Sequence, residues 1–166
     1  IGIIGLGRIG SKVSEYALAF GMRVHFFDPY FSPVLGQKAN ALTRHANVDS
    51  LISSVDVVLV SASVIEEDID KYPLINQRNI ELMRKDSVII NISRGIFVEE
   101  LALKKALING SLFGVGLDVL SSEEFGSTVL DGNLFQLKSL GYNLVITPHI
   151  GGMSSDALTL CISEVV

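Results

Sequence analysis

Short apolar runs alternate along the chain with stretches of helical periodicity. Residues 1–4 predict a first strand, and Ile9, Val13, Tyr16, Ala17 and Phe20 then recur at helical spacing, with Gly21 placed to end that helix. Val24–Phe27 predicts a second strand, closed by Asp28-Pro29. Residues 33–54 are less regular and read as a short helix or loop, a weak strand near 41–44, and a short helix. Residues 55–60 predict a strand whose Val57-Val58-Leu59-Val60 run suits burial on both faces. Beyond it the pattern predicts a helix over 76–84, a strand over Val88–Asn91, a helix over 98–109 stopped by Gly110, and a strand over 113–119. Residues 121–143, richer in Ser, Gly and acids, read as a long connection. Leu144–Ile146 is the last strand, and a helix resumes after Gly152.

Strands alternating with helical segments imply right-handed crossovers and an α/β fold with a mostly parallel sheet. Helices would cover both faces, giving three layers in a doubly wound arrangement. Without repeats, linkers or low-complexity segments, residues 1–166 read as one domain. In such sheets ligands sit beyond the carboxyl ends of the strands, so the residues that follow each strand are where chemistry is expected.

The first such position is Gly5-Leu6-Gly7-Arg8-Ile9-Gly10, a G-x-G-x-x-G run between a strand and an amphipathic helix. Gly5 permits the tight turn, Gly7 lets the backbone approach a pyrophosphate, and Gly10 lets the helix pack close to the strand. The helix N-terminus adds N–H groups and a partial positive charge. Asp28 follows Gly5 by 23 residues, at the end of the second strand. A carboxylate there accepts the hydroxyls of an adenine ribose and repels a 2′-phosphate. No Arg or Lys follows it until Lys38, so NAD is favoured over NADP.

Composition narrows the partners. Hydrophobic residues make up 48% of the 166 and the net charge is −5, with no basic cluster. That argues against nucleic acid and anionic membrane surfaces. The mean hydropathy is +0.45, yet no apolar run approaches the ~18 residues of a membrane span. The single cysteine, Cys161, forbids an internal disulfide and suits a reducing, cytoplasmic location. His25, His45 and His149 are too scattered for ligand spacing, so no metal site is expected.

Three further segments lie on or directly after predicted strands: Asn91-Ile92-Ser93-Arg94-Gly95, Gly114-Val115-Gly116-Leu117-Asp118-Val119, and Thr147-Pro148-His149-Ile150-Gly151-Gly152. Together with the glycine run, and in this order, they resemble the Rossmann-type NAD-binding domain of the D-isomer-specific 2-hydroxyacid dehydrogenases. That family includes D-lactate, glycerate, phosphoglycerate and formate dehydrogenases. The resemblance implies that Arg94 binds the substrate's carboxylate and carbonyl oxygen. It implies that His149 is the acid/base catalyst, paired with Glu123. Asp118 would sit near the nicotinamide carboxamide, Arg8 and Ile9 at the pyrophosphate, and Ala62, Ile92 and Gly151 along the cofactor cleft.

The chemistry of these residue types agrees. Oxidising an alcohol by hydride loss needs a base for the hydroxyl proton, and imidazole titrates in the useful range. A nearby carboxylate favours imidazolium and fixes the ring. A guanidinium clamps a planar carboxylate through two hydrogen bonds.

The chain departs from the family pattern at Ser121 and Glu124, where relatives carry Glu and Pro, and at Ser61-Ala62-Ser63, where they often carry His-x-Pro. The resemblance also implies a separate substrate domain outside this chain, a homodimer, and a 2-hydroxy or 2-keto acid as substrate. An NAD-sensing, corepressor-like regulator on the same scaffold is the alternative function.

Overall fold

A computed structural model of the protein describes residues 1–31, 41–124 and 132–152. Among the described residues, seven strands form a single sheet: β1 (Gly2–Ile4), β2 (Val24–Phe27), β3 (Leu42–Arg44), β4 (Val57–Val60), β5 (Val88–Asn91), β6 (Gly114–Leu117) and β7 (Leu144–Ile146). All pairings are parallel and the order is β3-β2-β1-β4-β5-β6-β7. The chain builds outward from β1 to β3, then crosses back to lay β4 on the other side of β1. That reversal opens a crevice between the carboxyl ends of β1 and β4, where doubly wound sheets bind their ligands.

Helices cover both faces, as the sequence predicts. Helix α1 (Arg8–Ala19) turns Gly10, Ser14 and Ala17 to the sheet, and these small residues let it pack closely. Its end is set by Gly21 at φ 76°, with Gly21 N–H donating to Leu18 O and Met22 N–H to Ala17 O. That pair of bonds satisfies the last carbonyls, and the left-handed residue between them favours glycine. Beneath α1 lies a core of Ile3, Leu6, Ala17, Val24 and Phe26. Ile4, Val58, Val60, Ile89, Val115 and Leu117 point the other way. They meet α2 (Val48–Ile52), α3 (Gln77–Ile80), α4 (Glu100–Ile108) and α6 (Gly132–Ser139).

Two expectations change. The helix predicted over 76–84 is one turn, capped reciprocally by Asn76 and Asn79. Tight bonds from Leu82 N–H to Asn79 O and Met83 N–H to Ile80 O then unwind it, and Asp86 reverses the chain at φ 74°. The predicted connection 121–143 holds α5 (Ser121–Glu124) and α6, and α6 buries Leu134 and Leu137 at helical spacing. A 3-10 helix, Glu66–Lys71, occupies a stretch with no apolar period. The helix predicted after Gly152 lies outside the described residues. Among the described residues, no helix is long and apolar enough to cross a membrane.

Leu103 on α4 is fully buried in the larger core. Leu103→Ala is expected to cost about 2–5 kcal/mol, because neighbours fixed to a sheet collapse poorly into the cavity. Urea unfolding should show a lower midpoint at unchanged slope.

Candidate functional site

Strand register places one row of residues along the carboxyl edge. Phe27, Ile4, Val60, Asn91, Leu117 and Ile146 are level across neighbouring strands. The residues that follow them are Asp28, Gly5, Ser61, Ile92, Asp118 and Thr147. Side-chain hydrogen bonds tie these exits together.

Gly5 adopts φ 87°, and a Cβ on it would stand 2.5 Å from Ala62 Cα. A Cβ on Gly10 would strike the Gly5 carbonyl oxygen. Gly7, by contrast, faces open space, with nothing within 4 Å of its missing Cβ. Gly7 caps α1 without a side chain, and the first turn carries no acidic residue. The helix thus presents a bare, positively polarised terminus, flanked by exposed Arg8 and Ile9.

Asp28 grips this loop from β2. Its Oδ2 accepts from Leu6 N–H and its Oδ1 from Tyr30 N–H, each at 2.8 Å. Local sequence offers no cation beside it, yet β3 brings Arg44 alongside. Its guanidinium donates to the Asp28 carbonyl at 3.0 Å and lies 5.6 Å from the Phe31 ring centroid. Next to Asp28 opens a cleft of about 330 Å³, within the range of small-molecule sites. Its walls are largely apolar, with Ile4, Phe27, Ala62, Ile65, Tyr72 and Leu74 among them. An apolar slot for a base, a carboxylate at its mouth and a glycine turn at a helix end fit NAD.

A second cleft, about 370 Å³, joins the first at Ser61, Ala62 and Ser63, and continues past Ile9, Ile92 and Ser93 to Arg94. Ser61 Oγ donates to the Gly5 carbonyl at 2.8 Å, and Ser93 Oγ donates to the Ala62 carbonyl. Asn91, buried at 1% exposure, accepts from Ser93 N–H at 3.1 Å and donates to the Arg94 carbonyl at 2.8 Å. The backbone of Arg94 is therefore fixed while its exposed side chain borders the cleft.

At the far end, buried Asp118 organises the loop after β7. Oδ1 accepts from Thr147 Oγ1 and from Ile150 N–H at 3.0 Å, and Oδ2 accepts from Gly151 N–H at 2.9 Å. His149 sits inside that grip with φ 53°, a left-handed conformation uncommon for a residue that carries a side chain. Burial pushes the Asp118 carboxyl up. The Thr147, Gly151 and Ile150 hydrogen bonds and the nearby His149 charge outweigh it, holding the group below its ordinary value.

The sequence-predicted residues Gly5, Gly7, Arg8, Ile9, Gly10, Asp28 and Ala62 surround the crevice between β1 and β4. Ile92, Arg94, Asp118, His149 and Gly151 lie on the exits of β5, β6 and β7. Glu123 belongs to α5, but its side chain, and so its pairing with His149, lies outside the described residues. Individual roles for Ser61, Asn91 and Ser93 escape a local reading, because Ser61 and Ser93 bond partners 56 and 31 residues away. The sequence signal was only a polar residue ending each buried strand. Among the described residues, no three His, Cys, Asp or Glu side chains are grouped to hold a metal.

The sheet order, the glycine turn and the crevice define a dinucleotide-binding domain of Rossmann type. More particularly, the chain belongs to the D-isomer specific 2-hydroxyacid dehydrogenase family, whose NAD binding domain matches residues 1–151. Glyoxylate reductase of Pyrococcus horikoshii is 36% identical over 157 residues, covering 95% of this chain and 43% of that protein. D-3-phosphoglycerate dehydrogenase of Bacillus subtilis is 35% identical over 158 residues, covering 95% and 27% respectively. A crystal structure of D-lactate dehydrogenase from Aquifex aeolicus, complexed with NAD and lactic acid, superposes with a TM-score of 0.82 at 32% identity. That comparison covers 99% of this chain and 50% of the other. The chain spans less than half the length of these two relatives.

A carboxyl held below its ordinary value of 3.8 stabilises the fold above that pH. The contribution is lost as pH falls through the lower, folded value. Asp118→Asn should therefore lower the melting temperature at pH 5–7, and the gap from the parent should close below the ordinary value. Calorimetry across that range checks it.

Proposed function

We propose that this chain is the cofactor half of an NAD-dependent dehydrogenase acting on a D-2-hydroxy acid or its 2-keto counterpart. One observation carries the reading. Arg94 and His149 each stand three residues beyond register-matched strand ends, Asn91 and Ile146, on the same edge as the glycine turn. Asp28 lies on the opposite side of the crevice, so a dinucleotide with its adenosine toward β2 directs its nicotinamide toward β5–β7. The relatives bear enzyme names, which favours catalysis over the regulatory alternative.

When bound, NAD supplies the hydride acceptor or donor. In this reading, Arg94 clamps the substrate carboxylate and leaves one face of C2 toward the nicotinamide. His149 takes the hydroxyl proton on a ring nitrogen during oxidation and returns it during keto-acid reduction. Glu123 stabilises the imidazolium and holds the ring's orientation. The Asp118 grip fixes the backbone from which His149 projects. The remaining length of the relatives is proposed to correspond to a substrate domain that closes over this edge and excludes water. By itself the chain should then bind NADH and turn over slowly or not at all.

NADH titration of the purified chain, followed by nicotinamide fluorescence, tests binding. Turnover is measured on the longest product of the gene, with NADH and a panel of 2-keto acids. His149→Ala should cut kcat by at least about a hundredfold while NADH affinity stays within about twofold. Loss of affinity as well would give His149 a different role. Full turnover by the chain alone would overturn the need for a second domain.

We also propose a homodimer in a cytoplasmic setting. Tyr16 on α1 and Phe20 directly after it are exposed, at 59% and 86%, and this supports self-association. Sedimentation should give twice the 17.9 kDa chain mass, and Phe20→Glu should halve it. A parent that sediments as a monomer at micromolar concentration removes the proposal.

A further inference from the structure

Beyond the ribose position, the adenosine cleft carries a polar device that the glycine motif does not call for. Tyr30, two residues after Asp28, donates its hydroxyl to Asp68 Oδ2 at 2.6 Å. Asp68 belongs to the 3-10 helix Glu66–Lys71 that follows β4, and Lys71 Nζ reaches its Oδ1 at 2.6 Å. Because β2 and β4 flank β1 on opposite sides, the Tyr30–Asp68 bond spans the mouth of the cleft between them. Tyr30, Asp68 and Lys71 all line that cleft, whose deeper wall is Ile4, Phe27 and Phe97.

The Asp68 side chain is only 15% exposed, whereas that of its Lys71 partner is 69% exposed. The Lys71 ammonium and the Tyr30 hydroxyl hold its carboxyl below the ordinary value, so it is an anion at neutral pH. An ionised carboxylate accepts about four hydrogen bonds, and Tyr30 and Lys71 use two. Set between Tyr30 and Lys71 at the mouth of a largely apolar cleft, this anion keeps acceptor capacity for a donor on whatever fills the slot.

We propose that Asp68 is a base-specificity residue, whose carboxylate accepts a hydrogen bond from the exocyclic amino group of adenine. This rests on the NAD-binding reading above and deepens it. A dinucleotide whose phosphates lie at Gly7 and whose ribose meets Asp28 carries its base into the slot that Asp68 borders. Tyr30 and Lys71 position the carboxylate there. Hypoxanthine replaces the amino donor with a carbonyl acceptor, which would face the anion directly. A guanine base also presents an acceptor at that position.

The test measures dissociation constants of the parent chain for NADH and for its hypoxanthine analogue, by nicotinamide fluorescence. The expected result is tighter binding of NADH by about tenfold, the size of one hydrogen bond to a charged group. In Asp68→Ala the ratio should fall to near one, mainly through weaker NADH binding. Tyr30→Phe, which keeps the ring, should reduce the ratio partially. Equal affinities in the parent, or a ratio unchanged in Asp68→Ala, would overturn the assignment. The parent comparison needs no variant to fold. Absence of binding by both dinucleotides would overturn the NAD reading itself, a different outcome from equal binding.

Discussion

The backbone of Gly5 passes so near Ala62 that no side chain fits between them, and this contact governs the whole carboxyl edge. It joins the exits of β1 and β4 at the point where the strand order reverses. Around it, Asp28 holds Leu6, Ser61 holds Gly5, and Ser93 holds Ala62. These bonds link the exits of β2, β1, β4 and β5 into one continuous chain of contacts. A glycine at position 5 is required twice over, by its positive φ and by the lack of space.

The two ends of the edge are built on different physics. Toward β2 the site is an apolar slot with few polar groups, suited to burying a flat base. Toward β7 it is a polar loop cinched onto one buried carboxylate, which sustains a left-handed residue at His149. The first end relies on dispersion and desolvation, which tolerate small displacements. The second relies on hydrogen-bond geometry, which does not.

Much of this was legible in the residues. β1, α1 and β2 could be read because apolar period, a glycine stop and an Asp-Pro turn agree locally. The buried Val58 and Val60 announced β4 by lying in an uninterrupted apolar run. Helix α6 was hidden because its two core contacts, Leu134 and Leu137, sit in a segment otherwise rich in Ser, Gly and acids. Helix α3 was overread because Leu82 extends the apolar period past the point where the chain turns, and its side chain is 44% exposed. At the site, Gly5, Asp28, Arg94 and His149 follow strands in recognisable motifs. The long-range hydroxyl bonds of Ser61 and Ser93, the arrival of Arg44 beside Asp28, and the Tyr30–Asp68 bridge are products of sheet order. No local window contains both partners of any of these pairs.

The central position of β1 also fixes a sequence of events during synthesis. A domain folds as a unit, and β1 cannot gain its second neighbour until residues 57–60 have been made. Until then the glycine turn lacks its contacts with Ser61 and Ala62. The loop around His149 waits longer still, since residues 147–151 must appear before Asp118 has anything to hold. The edge is therefore complete only when residues from Gly5 to Gly151 are all in place, so the nucleotide cradle and the catalytic end form with the sheet as one unit.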